Sequence, residues 1–228
     1  MGDEKQKSDL AGRLAILVRL DERLFELTMG YLSESALYPM DFLANGAVKR
    51  ALALSSGFRS MIESKNMVCA GALLRLQVDT ALRVYAAYIV AAPHEFASAV
   101  LRGAKVSDLK DRDGNQMHDA YLVKRLAKEE NCDWLPRVYR ETSGYVHLSG
   151  KHIFSTFTKA EDEGPTIHMK ISAVDEHLPS EIYEEAVDAF IAATELLAKY
   201  LHGWTFTKKH PETVQQLRKP RDGESPSD

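Results

Sequence analysis

Residues Met67 to Ala91 constrain the fold more than any other stretch. They are apolar on nearly every side, with alanine recurring through the run, so a helix built from them has no solvated face and must be wrapped by others. Asn66 stands where a helix N-cap is expected. Around this central helix the 3.6-residue period recurs. A helix capped by Ser8 runs through Leu10, Leu14, Leu17, Val18, Leu24, Phe25 and Leu27, with Arg13, Arg19, Asp21, Glu22 and Arg23 on its solvated side. Pro39 opens a second helix to about Lys65, Pro93 a short one to Leu101, and Gln116 to Glu130 another. Asp133 precedes the next, and Pro179 to His202 is amphipathic through Ile182, Ala186, Phe190, Leu197 and Leu201. Asp113-Gly114 marks a turn.

The predicted fold is therefore mainly α, a helical bundle. One interruption is expected. Ile153 to Thr158 and Thr166 to Ile171 alternate with a period of two around Glu161-Asp162-Glu163-Gly164-Pro165, which predicts a single β-hairpin over about 153–171. The domain so defined spans 8–206, between a flexible N-terminus (1–7) and a flexible basic tail (207–228) carrying Lys208, Lys209, Arg218, Lys219 and Arg221.

The 228 residues are 45% apolar, enough for a substantial core, and carry a formal net charge of −4. No overall basic field draws the chain to nucleic acid, so any RNA contact must be local. Cys69 and Cys132 fall in predicted helices without metal-ligand spacing, which predicts two buried thiols in a reducing compartment. Arg13 and Arg19 interrupt the first apolar run, and Val84 to Pro93 is half the length of a membrane span. A cytoplasmic protein with no membrane association is expected. The histidines are scattered, so neither a metal nor a cofactor is expected.

Two groups of residues carry candidate chemistry. The first is Tyr139-Arg140-Glu141-Thr142-Ser143-Gly144-Tyr145-Val146-His147-Leu148-Ser149-Gly150-Lys151-His152. Read as the last two turns of a helix stopped by a left-handed Gly150, it places Arg140 and His147 on one face, because seven steps of about 100° return to within about 20°. A permanent cation beside an imidazole, the side chain suited to proton transfer near neutral pH, fits phosphate chemistry. Gly144 between them would admit another backbone. The second group is Arg75, Asp79 and Arg83, at i, i+4 and i+8 on the apolar helix. Such a stripe is either a pair of ordinary helix-surface ion pairs, each worth a few tenths of a kcal/mol, or one wall of the cleft that holds Arg140 and His147.

The run Tyr139 to His147 resembles the signature helix of HEPN-like proteins, in particular a mostly bacterial branch with the pattern Tyr-basic-x-x-Ser-x-x-x-His, and in architecture the resemblance covers about residues 40 to 202. It implies a metal-independent endoribonuclease, a toxin or defence effector, acting as a homodimer whose motif helices face each other. Arg140 and His147 are then catalytic, with Asp79, Arg75, Ser143 and Lys151 in support. Relatives carry an Arg and usually a Glu on the equivalent of the apolar helix; here the acid is Asp79. Many have Asn, Asp or His directly after the motif Arg, where this chain has Glu141. The alternative is a non-catalytic HEPN-like protein that binds RNA or a nucleotide, or that answers to an antitoxin or regulatory partner. On a purely structural reading, Arg140 and His147 would hydrogen-bond at the helix end and tie it to the hairpin.

Overall fold

The apolar helix is the hub that its composition demands. The computed structural model describes residues 9–33, 36–158 and 168–213. In it α3 (Met67–Ile89) is buried over most of its circumference, through Ala70, Leu74, Gln77, Val78, Ala81 and Tyr85 among others, and only the side of Leu76, Asp79 and Arg83 stays partly exposed. Asn66 Oδ1 caps it by accepting from Cys69 N at 3.0 Å, and Asp175 Oδ2 accepts from Met67 N at 3.0 Å. Two donors left open at the helix start are satisfied in this way.

Two long helices, α2 (Pro39–Glu63) and α8 (Ser180–Lys209), pack directly on this hub, and a third, α1 (Leu10–Leu32), lies across those two. Two shorter ones, α5 (Asp119–Glu130) and α6 (Trp134–Val146), close its other side, and α4 (Pro93–Leu101) lies on α2. Phe58 and Phe190 stack at 4.2 Å where α2 approaches α8. Gln77 Nε2 donates to Thr194 Oγ1 at 2.9 Å within the buried contact of α3 with α8. Among the described residues no helix is long and apolar enough to cross a membrane.

Several boundaries differ from expectation, each for a local reason. Helix α1 starts at Leu10 behind Asp9; Ser8 and residues 1–7 lie outside the described residues. Helix α5 begins at Asp119 instead of Gln116, because Gln116 pairs with Lys110 across a tight loop. In that loop Gly114 takes a positive φ of 84°, and Asp111 Oδ1 accepts from the amides of Asp113 and Asn115 at 3.0 and 2.8 Å.

The hairpin is present but short. The start of its expected first strand is helical: Ser149 caps α7 (Gly150–Phe154), its hydroxyl accepting from Lys151 N. Only β1 (Phe157–Thr158) and β2 (His168–Met169) then pair, antiparallel, with Phe157 opposite Met169. Gly150 thus opens a helix and takes no left-handed backbone, and the turn between the strands lies outside the described residues.

The flexible tail expected from residue 207 is helical at its start. Helix α8 continues to Lys209, and Lys208 is buried against Asp41; residues 214–228 lie outside the described ones. Neither thiol is buried. Cys69, on the first turn of α3, is exposed, and Cys132 is half-buried.

Candidate functional site

Helix α6 is seated on α3 through a glycine. A Cβ added to Gly71 would lie 2.3 Å from the Tyr145 ring, so the ring fills the space that any other residue would occupy. Leu135, Val138 and Thr142 bury the same face of α6. Ser143 turns its hydroxyl back onto Tyr139 O at 2.7 Å, within its own helix.

The helix ends short of the stop expected at Gly150, and before His147 is reached. Val146 closes α6, and His147 is extended at φ −119°, ψ 147°. The cause lies downstream, where Ser149 Oγ donates to Gly144 O at 2.7 Å and so takes a carbonyl at the helix end while capping α7. The common helical face of Arg140 and His147 is therefore absent. Both side chains are exposed, and among the described residues neither has a hydrogen-bond or ion partner within the chain. Among the described residues, the tie to the hairpin expected of a structural pair is absent with them.

Lys151 arches over the Tyr145 ring, with Nζ 4.9 Å from its centroid. Its stem and Ser149 occupy the space beside Gly144, where an added Cβ would meet Lys151 Cδ at 3.2 Å. Gly144 thus accommodates this chain's own side chains, and the expected room for another backbone is taken.

The charged stripe of α3 divides. Arg75 reaches the motif helix, its guanidinium 4.0 Å over the Tyr139 ring. Asp79 does not: it pairs with Arg83 at 2.7 Å and Arg50 at 3.4 Å, and no bond links it to Arg140 or His147. The carboxylate that does meet the motif helix is Asp119, at the start of α5. It accepts from Arg83 Nη2 at 2.6 Å, from Arg75 Nη2 at 3.1 Å and from Tyr139 Oη at 3.2 Å. Nothing in the sequence marked it, since its partners lie 20 to 44 residues away.

Desolvation pushes the Asp119 carboxyl up, but the charges and hydrogen bonds of Arg83 and Arg75 outweigh it and hold the group below the usual carboxylate range. A carboxyl depressed on folding adds stability above its unfolded pKa, about 3.9 for Asp, and loses it as the pH falls through the folded value. Urea unfolding from pH 7 to pH 3 should therefore show the gap between wild type and Asp119→Asn narrowing below about pH 5. A gap constant across that range would show that the carboxylate charge contributes nothing.

Two further features flank α6. On one side, between α3, α6 and α8, lies a cavity of about 550 Å³ with Met67, Leu74, Val138 and Ala189 in its wall and Arg137, Glu141 and Lys151 on its rim. That volume suits a small molecule. Arg140 and His147 do not line it. At the other end, Leu148 and Ile171 are 88% and 91% exposed, and Val146, Ile153, Phe154 and Met169 are exposed near them in the chain. Among the described residues no cluster of three or more His, Cys, Asp or Glu side chains could hold a metal ion. No family model, curated protein or solved structure matches the chain.

Proposed function

We propose that the chain is a metal-independent endoribonuclease of HEPN type, a toxin or defence effector acting on RNA in the cytoplasm as a homodimer. The observation that carries this reading is the availability of Arg140 and His147. The neighbouring charges Arg75, Arg83, Asp79 and Asp119 pair with one another, whereas these two are exposed and, among the described residues, bond to nothing in their own chain.

The chemistry follows from the two groups. His147 takes the proton of a ribose 2′-hydroxyl as that oxygen attacks the adjacent phosphorus. The bond to the 5′-oxygen breaks, and a second imidazole, from the other copy, returns a proton to the leaving oxygen. Arg140 meets the phosphoryl oxygens where negative charge builds up. A 2′,3′-cyclic phosphate remains. Because the helix break takes His147 off the Arg140 face, a second copy is the simplest source of a facing group. The exposed apolar run around Leu148 and Phe154 offers the surface against which that copy packs.

A second reading rests on the same apolar run. Leu148, Phe154 and Ile171 also suit docking of an antitoxin or regulatory protein by a non-catalytic chain. One assay separates the two. The purified protein, incubated with a panel of RNAs and EDTA, is expected to cut and leave cyclic phosphate ends. RNAs that are bound but stay intact would overturn the catalytic reading and favour the second.

A further inference from the structure

Helix α1 carries two rows of side chains, and the bundle uses only one. Leu17, Leu20, Leu24 and Tyr31 are buried against α2 and α8. On the outer side Ala11, Ala15, Val18, Glu22, Phe25 and Met29 follow one another at intervals of four, three, four, three and four residues, and all six are exposed. Phe25 and Met29 are 58% and 52% exposed, and Phe42, at the start of α2, adds a further exposed ring. Alternating steps of three and four are the seam of a coiled coil, which one helix presents to another. The described residues of a single chain leave this seam uncovered.

The flanking charges indicate the occupant. Arg19 and Glu26 lie one heptad apart on the same side of the seam, and among the described residues neither has an ion partner. When two copies of α1 run antiparallel about a twofold axis near Arg23, Arg19 of each faces Glu26 of the other, and Val18 of each faces Met29 of the other. The seam is then complementary to itself, as a twofold contact requires. A parallel arrangement would instead set Glu26 beside Asp21 of the second copy, like against like. Glu22 interrupts the apolar row at its centre, opposite Phe25 of the other copy.

We infer that two copies of this chain associate through α1, antiparallel, with Val18, Phe25 and Met29 as the apolar contacts and Arg19–Glu26 as the reciprocal pair. This face is separate from the apolar run around Leu148, so each can fail without the other.

The test removes that other face first. In a Leu148→Glu/Phe154→Glu background, sedimentation velocity should still report twice the 25.5 kDa chain mass. Adding Phe25→Glu should return the monomer, with the helical circular dichroism unchanged. Adding Arg19→Glu alone should raise the dissociation constant about tenfold, and adding Glu26→Arg to it should restore the starting value. Glu22→Leu should tighten the association. A background protein that is monomeric, or a dimer indifferent to Phe25→Glu, would overturn the inference and leave the seam to a helix of some other protein. Ribonuclease activity kept in this background would count against the composite site at the Leu148 face alone.

Discussion

Replacing His147 or Arg140 by alanine is expected to lower the rate of RNA cleavage by at least about 100-fold, the usual scale for a general acid–base group or a charge-stabilising donor. Among the described residues neither side chain bonds within its own chain, and both are exposed. Truncation therefore leaves no buried group unpaired, and the melting temperature should move by no more than about 2 °C. That separation makes the experiment informative, because a loss of activity cannot then be a loss of fold. Wild type and His147→Ala cutting at equal rates would end the catalytic assignment. A fall in melting temperature by about 10 °C would instead return both residues to a structural role.

The largest effect on stability is expected at the opposite end of the molecule. Asp41, fully buried at the start of α2, accepts from Trp204 Nε1 at 2.9 Å, from Tyr38 N at 2.8 Å and from Lys208 Nζ at 3.0 and 3.1 Å. Lys208 also donates to Tyr31 O at 2.6 Å, and its side chain is 3% exposed. Asp41→Ala strands a buried ammonium, and breaking a buried pair from one side costs about 3–5 kcal/mol. At about 2–4 °C per kcal/mol for a chain of this size, the melting temperature should fall by roughly 10 °C. Lys208→Met on top of Asp41→Ala should recover part of that loss, since the unpaired charge goes. A single substitution costing under about 1 kcal/mol would show that water reaches the ammonium.

These cases mark what a sequence of this kind reveals. The central helix was legible because burial on most sides leaves a long apolar record broken mainly by the stripe of Arg75, Asp79 and Arg83, and Asn66 and Pro93 stand at the helix starts they signal. The hairpin was legible only in part. Its alternating pattern includes Ile153 and Phe154, but the cap supplied by Ser149 outweighs it locally and folds them into α7. The end of α6 was hidden for the same reason, a side chain competing for a backbone carbonyl, which no period records. Lys208 was read as part of a solvated tail because its partner lies 167 residues earlier. Asp119 escaped notice because it acts from a different helix than the stripe it completes. Pairings distant in sequence are the part that spacing cannot reach.

Helix α8 sets the order in which the protein can form. It packs on α1, α2 and α3, and its bonds to α1 span 175 to 177 residues, from Arg13 to Asp188 and from Tyr31 to Lys208. During synthesis at about 5–20 residues per second, α1 waits on the order of ten seconds or more for the helix that covers it. Contacts this remote also slow folding once the helix has arrived. A nascent chain stopped before Ser180 would display the apolar faces of α1, α2 and α3 together. Such fragments are expected to be captured by chaperones and degraded by proteases before the segment bearing Arg140 and His147 is held in place, which would keep the proposed activity silent in an unfinished chain.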